Sequence, residues 1–162
     1  MTGRFLAALL LVVQLCACQQ AEAVSGQVTR VYDGDTIEVE NIGRVRLLGI
    51  DTPETEASER DLFYQHQLNI RPAVLRRIAR QATDFVSRHS HHQIVTLTFD
   101  RERTDAYGRT LAYVYLPDGL MLNRMLVAHG LAAVYRRAEF KHKNQFIVEE
   151  AQARERGRGM WR

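Results

Sequence analysis

Three short alternating apolar runs, one long helical segment, two further strand-like runs and two closing helical segments follow one another along the chain. That order predicts an α+β protein that is mainly β: a five-stranded barrel with three helices. A helix after the third strand is the OB-fold pattern, a partly open barrel whose face and loops bind oligonucleotides. The element order alone also fits other α+β folds. With 162 residues, 46% hydrophobic and 25% charged, the chain has the composition of one globular domain able to bury a core without metal or disulfide staples.

Residues 1–23 stand apart as an export signal. Arg4 gives a positive start, and residues 5–15 form an apolar run broken only by Gln14. The run is too short to span a bilayer and lacks helix caps. Two processing sites compete. Leu15-Cys16-Ala17-Cys18 resembles a lipobox with Cys18 as the acylated residue, although Cys16 at its second position is unusual. Ala21-Glu22-Ala23 is a small-x-small site that would release a soluble protein. The lipobox is preferred: an exported domain, residues 24–162, tethered to a membrane through acyl chains at Cys18. Both cysteines of the chain lie in the signal, which leaves the domain without disulfides or thiol chemistry.

The first strand is expected over residues 24–32, with Val28 and Val31 on its apolar face. The second runs over 36–40 around Ile37 and Val39. Asn41-Ile42-Gly43 is a turn, residues 44–50 return, and Thr52-Pro53 ends the meander because proline cannot donate to a ladder. Residues 55–70 show no period and read as an irregular polar excursion anchored by Leu62, Phe63 and Tyr64. Pro72 opens a helix with Ala73, Ile78, Ala82, Phe85 and Val86 on one face. Strands are expected over 94–99 and 111–116, separated by a charged loop closed by Tyr107-Gly108. A short helix over 122–129 stops at Gly130, a brief extended run covers 131–135, and a last helix covers 144–156, with Trp161 folded back as an apolar plug.

Charge is segregated. Residues 32–61 hold nine acids against three arginines, a net of −6, whereas residues 124–162 carry +5 and residues 70–103 carry +4. An acidic pocket in a basic molecule suits a cation site that must also attract a polyanion, although most of these arginines also fit solvated helix faces.

Three clusters carry chemistry. Asp33-Gly34-Asp35-Thr36 is a turn by its Asp-Gly pair, but Asp35 falls at the strand mouth, outside the slot the turn requires. In the run from Arg46 to Glu54, Arg46 and Asp51 bracket a buried strand five residues apart. Odd separations point to opposite faces, so Asp51 must come from the strand's end or a bulge if both serve one site. Asp105-Ala106-Tyr107-Gly108-Arg109 is a tight turn with an arginine. Together the clusters offer carboxylates for a hard cation such as calcium, one carboxylate free to accept a proton, and two arginine forks for phosphate. His89, His91 and His92 make a zinc site conceivable, but they follow a helix end, where histidine is favourable without any metal.

DGDT, RLLGIDTPE, TDAYGRTLAYVY, LNRMLVAHGLAAV and EAQARERGRGMW, in this order from about residue 24 to Trp161, resemble the thermonuclease family, the staphylococcal-nuclease-like proteins. The resemblance implies an OB barrel with three helices and a calcium-dependent phosphodiesterase that hydrolyses DNA and RNA to 3′-phosphate ends. It implies that Asp35 and Asp51 bind the metal with the Thr52 carbonyl. Arg46 and Arg109 would bind phosphate, Glu54 would act as general base, and Tyr107 would lie beside the nucleotide phosphate. Two features depart from the family. Ala106 replaces a lysine often found before that tyrosine, and the segment 55–72 is longer than the usual loop. Tyr135 lies near a base-stacking tyrosine of the family without a firm match. A monomer acting on nucleic acid, with no protein partner, is expected. The competing readings are a non-catalytic OB module that holds nucleic acid on the cell envelope and an envelope lipoprotein whose barrel is only a scaffold. Pure binding needs neither a cation site nor a base.

Overall fold

The computed structural model describes residues 22–162. The signal run and Cys18 lie outside the described residues. The chain enters β1 (Ala23–Val31), which pairs antiparallel with β2 (Thr36–Val39), and β2 pairs with β3 (Gly43–Leu47) across the predicted turn. Alternation does the work: Val28, Ile37, Val39, Val45 and Leu47 are all buried, while Gln27, Thr29, Glu40 and Arg44 beside them are exposed. β5 (Ile94–Thr98) returns to β1, and β6 (Thr110–Tyr115) pairs antiparallel with β5 and parallel with β3. The five strands close in the order β1-β2-β3-β6-β5, the OB barrel that the element order predicts.

The third run does not continue to residue 50 as one strand. After β3 the chain turns through Leu48 and Gly49, and Ile50–Asp51 forms a separate short strand, β4. Gly49 has φ +82°, and a Cβ there would stand 2.6 Å from the Phe140 ring. Only glycine fits this turn. Buried Asn123 pins it from α3 (Leu122–Ala128): its Nδ2 donates to the Leu48 carbonyl at 3.0 Å, and its Oδ1 accepts the Val114 N–H at 2.9 Å. β4 then pairs with β7 (Ala133–Val134), the core of the predicted extended run.

Four α-helices, not three, stand among the described residues. The additional one is α1 (Arg60–Leu68), in the segment the sequence marks as irregular. It has no apolar stripe to betray it: its buried residues are Asp61 and Tyr64, while Leu62 is exposed. Asn69 in the left-handed conformation ends it, and an Asp61–Arg76 ion pair ties it to α2 (Pro72–Ser90). α2 starts at its proline as expected. Its buried face is Leu75, Ile78, Ala79, Ala82, Phe85 and Val86, with Ala73 outside it. At the chain end the plug is Met160, 2% exposed. Trp161 is only partly buried, with the Arg154 guanidinium 4.1 Å over its ring.

α4 (Lys143–Glu155) holds the site from below through Glu150, which is 1% exposed. Glu150 Oε1 accepts the Val134 N–H at 2.8 Å and a bond from Arg136 Nη1 at 3.2 Å, and Arg154 completes the pairing at 2.9 Å. Removing one partner of a buried pair commonly costs about 3–5 kcal/mol. Both arginines here retain water access, so Glu150→Ala is expected to lose about 3 kcal/mol, the lower end. A melting curve should then fall by roughly 6–12 °C. A shift within about 2 °C would contradict the anchoring role of Glu150.

Candidate active site

The predicted turn holds. Asp33 Oδ1 accepts the Asp35 N–H at 2.9 Å, and the Tyr32 N–H reaches the Thr36 carbonyl at 3.0 Å. Gly34 is pressed between α2 and the strand end. A Cβ there would lie 2.6 Å from Ala82 Cβ and 2.9 Å from Thr52 Cγ2. This close approach seats Asp35, 1% exposed, against Thr52. Asp35 Oδ2 accepts the Thr52 N–H at 2.8 Å and its hydroxyl at 2.9 Å, and Oδ1 accepts the Thr36 hydroxyl at 3.3 Å.

Asp51 reaches the same centre from β4, beyond the Gly49 turn, which meets the requirement that it leave the strand before facing Arg46. One guanidinium joins the two acids: Arg46 Nη1 pairs with Asp35 Oδ1, and Nη2 pairs with Asp51 Oδ1 at 3.0 Å. The Arg46 side chain is 16% exposed. Burial draws its basicity down, and Asp51 opposes that loss. α1 adds two residues that the sequence does not single out for this centre. Arg60 pairs with Asp51 Oδ1, and the buried Tyr64 hydroxyl lies 3.0 Å from both Asp51 Oδ2 and the Asp51 carbonyl.

Glu54 follows buried Pro53 into solvent at the mouth of this cluster. Among the described residues it makes no hydrogen bond or ion pair. Partial burial, then the Asp33 and Asp51 carboxylates, push its carboxyl above the ordinary value and make it a better proton acceptor. Asp33 is raised likewise by burial, with Arg46 opposing. Its role beyond the turn was hidden because Asp-Gly already explains it locally.

Arg109 is aimed by Asp105, which accepts its Nε at 2.7 Å and its backbone N–H at 3.0 Å. Its Nη1 stands 3.4 Å from the Thr36 hydroxyl, beside the carboxylates. Tyr107, 85% exposed, is not in the cluster itself. It lines an adjoining groove of about 550 Å³ with Arg109 and Arg44, and Arg44 brings a cation to the side where Ala106 offers none. The structure thus brings Asp35, Asp51, Thr52, Arg46, Glu54 and Arg109 to one end of the barrel, with Tyr107 at the rim.

The donors at this centre are oxygens, the set a hard cation such as calcium prefers. Among the described residues no three His, Cys, Asp or Glu side chains gather as metal ligands, so backbone carbonyls and water must complete the coordination of any cation on Asp35 and Asp51. The histidines go elsewhere. His89 stacks on Phe85 and bonds the Phe85 carbonyl at 2.8 Å, while His91 and His92 stack on each other.

Residues 44–162 match the family described as Staphylococcal nuclease homologue. A thermonuclease of Staphylococcus hyicus is 35% identical over 83% of this chain and 74% of its own length. A thermonuclease of Staphylococcus intermedius is 40% identical over 77% of this chain and 67% of its own. A protein of Escherichia coli described as an uncharacterized endonuclease is 33% identical over 85% and 77%. The family match covers β3 to the C-terminus and so includes Arg46, Asp51, Glu54 and Arg109. Fold and site together define an OB barrel of the nuclease class. The chain belongs to the staphylococcal nuclease family.

Proposed function

We propose that this nuclease is a calcium-dependent phosphodiesterase that hydrolyses DNA and RNA and leaves 3′-phosphate ends. One observation carries the reading: an exposed Glu54 carboxylate, its proton affinity raised by partial burial and by neighbouring acids, stands beside two buried acids that share one arginine. A purely binding barrel has no use for a proton acceptor, nor for buried carboxylates, which cost stability to bury even where Arg46 and Arg60 pair with them. Calcium held by Asp35, Asp51 and the Thr52 carbonyl would supply positive charge against the phosphate oxygens. Glu54 accepts the proton of the water that attacks phosphorus. As the new P–O bond forms, the bond to the 5′ oxygen breaks, and that oxygen leaves as an alcohol after taking a proton from solvent. Arg46 and Arg109 meet the charge that grows on the equatorial oxygens.

Asp35 tests the metal assignment. Alanine there would strip Thr52 and Arg46 of partners, so Asp35→Asn is the better variant, keeping an oxygen for Thr52. Calorimetric titration should show calcium binding weakened at least tenfold. Equal affinity in the variant, or activity supported by zinc and not by calcium, defeats the assignment. End-labelling of the digest should reveal 3′-phosphates, and 3′-hydroxyl ends would mean that the other P–O bond breaks.

The same reading makes the enzyme exported and tethered through an acylated Cys18, with environmental nucleic acid as substrate. The short apolar run ending at Leu15-Cys16-Ala17-Cys18 motivates it. Mass spectrometry of the mature N-terminus should find a lipid-modified Cys18. An unmodified start at Val24 in the soluble fraction would replace tethering with release.

A further inference from the structure

The arginines that make residues 70–103 basic lie largely on α2, and the centre described above uses none of them. The turn that carries Asp35 packs on α2 at Ala82, where Gly34 meets it. Positions 77, 81, 84 and 88 have the spacing of one helix stripe, about 100–160° around α2 from Ala82. There Arg77, Gln81, Asp84 and Arg88 line a cleft of about 380 Å³, with His129 and Arg162 on its other side. It shares no lining residue with the groove of Tyr107 and Arg109. We propose that this cleft is an anchor for the phosphate backbone of a long nucleic acid, held away from the phosphate being cut. The proposal rests on nucleic acid being the substrate and adds a contact outside the reacting centre.

Charge, shape and place carry it. Arg76 is tied to Asp61, whereas Arg77 and Arg88 form no ion pair among the described residues, although Asp84 stands one turn before Arg88. Arg162 brings a third guanidinium, on a chain end fixed by close contact. A Cβ at Gly159 would lie 2.2 Å from the Gly130 carbonyl oxygen, and the Met160 N–H donates to that oxygen at 2.9 Å. Three side-chain cations against the one carboxylate of Asp84 leave the lining positive. Its floor is apolar: Phe85 is 7% exposed, and the His129 ring tilts against it at 5.0 Å. Low-dielectric walls focus the field of such charges and concentrate anions. Arginine forks match phosphate oxygens in paired hydrogen bonds. A concave lining receives the protruding phosphates of a strand and not a flat bilayer. Arg77 and Arg88 stand about 16 Å apart along the helix, the length of about five phosphates on one strand of a duplex. Asp84 lies between them, so the contact is made at two points and Asp84 opposes it. Because α2 is about 10–12 Å across, a strand held at the reacting centre reaches the stripe only after passing around the helix. A substrate of a few nucleotides cannot reach both.

The test uses the double variant Arg77→Ala/Arg88→Ala and the single variant Asp84→Asn, all at exposed positions, with circular dichroism as the folding control. The probes are a labelled 60-nucleotide single strand and a five-nucleotide strand. In chelator, fluorescence anisotropy should show the double variant binding the long strand roughly tenfold more weakly at low salt, with the slope of log K against log salt reduced by about 0.7 for each lost phosphate contact. Asp84→Asn should bind the long strand more tightly than wild type. With calcium, kcat/KM of the double variant should fall on the long strand and stay within about twofold of wild type on the short one. Unchanged binding of the long strand by the folded double variant, or an equal loss of kcat/KM on both strands, overturns the anchor and leaves the nuclease assignment standing. Sedimentation with phosphatidylglycerol vesicles that the double variant loses, its binding to the long strand intact, also overturns it and assigns the cleft to a lipid surface. Should the double variant fail to fold, Asp84→Asn decides alone: tighter binding supports the anchor, and equal binding overturns it. If the wild type cleaves neither strand, the nuclease assignment fails, and the binding measurements in chelator still decide the anchor.

Discussion

Glu54→Gln is expected to slow single-turnover cleavage of a short single-stranded DNA by about 10²–10⁴, the usual contribution of a positioned general base. The amide keeps the size of the side chain and cannot take the proton of the attacking water. Among the described residues Glu54 makes no hydrogen bond or ion pair, and it lies in solvent at the cluster's mouth, so the variant should fold normally and should retain most of its calcium affinity. Loss of rate with binding retained is the signature of a group used in the transition state. A folded Glu54→Gln that cleaves within about tenfold of wild type would remove Glu54 from the mechanism, because ordinary surface changes stay within about 0.5 kcal/mol of neutral.

Arg109→Ala and Arg46→Ala are each expected to lower kcat by about 10²–10³, the cost of one lost donor to developing oxyanion charge. The surroundings separate the two variants. Arg109 is held by Asp105 on a surface loop, so its removal should leave stability almost unchanged. Arg46 is the countercharge shared by Asp35 and Asp51, and alanine leaves buried Asp35 with no ion pair among the described residues and Asp51 with Arg60 alone. Arg46→Ala should therefore also melt lower in chelator, and calcium should recover part of that loss, because a cation bound only by the folded state stabilises it. Two melting curves per variant, with calcium and with chelator, check this. Equal destabilisation of both variants, or no calcium effect on Arg46→Ala, would contradict the shared-arginine geometry.

The barrel was legible because its strands alternate cleanly. Ile37, Val39, Val45 and Leu47 enter the core at every second position, and period two can be read without tertiary knowledge. The break after β3 was half legible: the odd spacing of Arg46 and Asp51 demands a departure from the strand, and Thr52-Pro53 announces its end. The agent of that break, Gly49 against Phe140, joins residues far apart in sequence. Helix α1 was illegible because its polar anchors, the Tyr64 hydroxyl on Asp51 and the ion pairs Arg60–Asp51 and Asp61–Arg76, have no period. For the same reason Tyr64 and Arg60 escaped notice at Asp51, and so did Glu150 beneath β7. Their importance is a matter of partners, and partners appear only on folding. Asp35, Asp51 and Arg46 could be nominated from composition and motif, but their sharing of one guanidinium could not.

The most direct measurement is digestion of single-stranded DNA by the purified domain, with calcium and then with excess chelator. The account predicts cleavage with calcium, its abolition by chelator, and its recovery when calcium is restored. Cleavage that persists undiminished in chelator would contradict the central claim that Asp35 and Asp51 act through a cation. Tight binding of the DNA without cleavage under either condition would leave a barrel that holds nucleic acid and does not cut it.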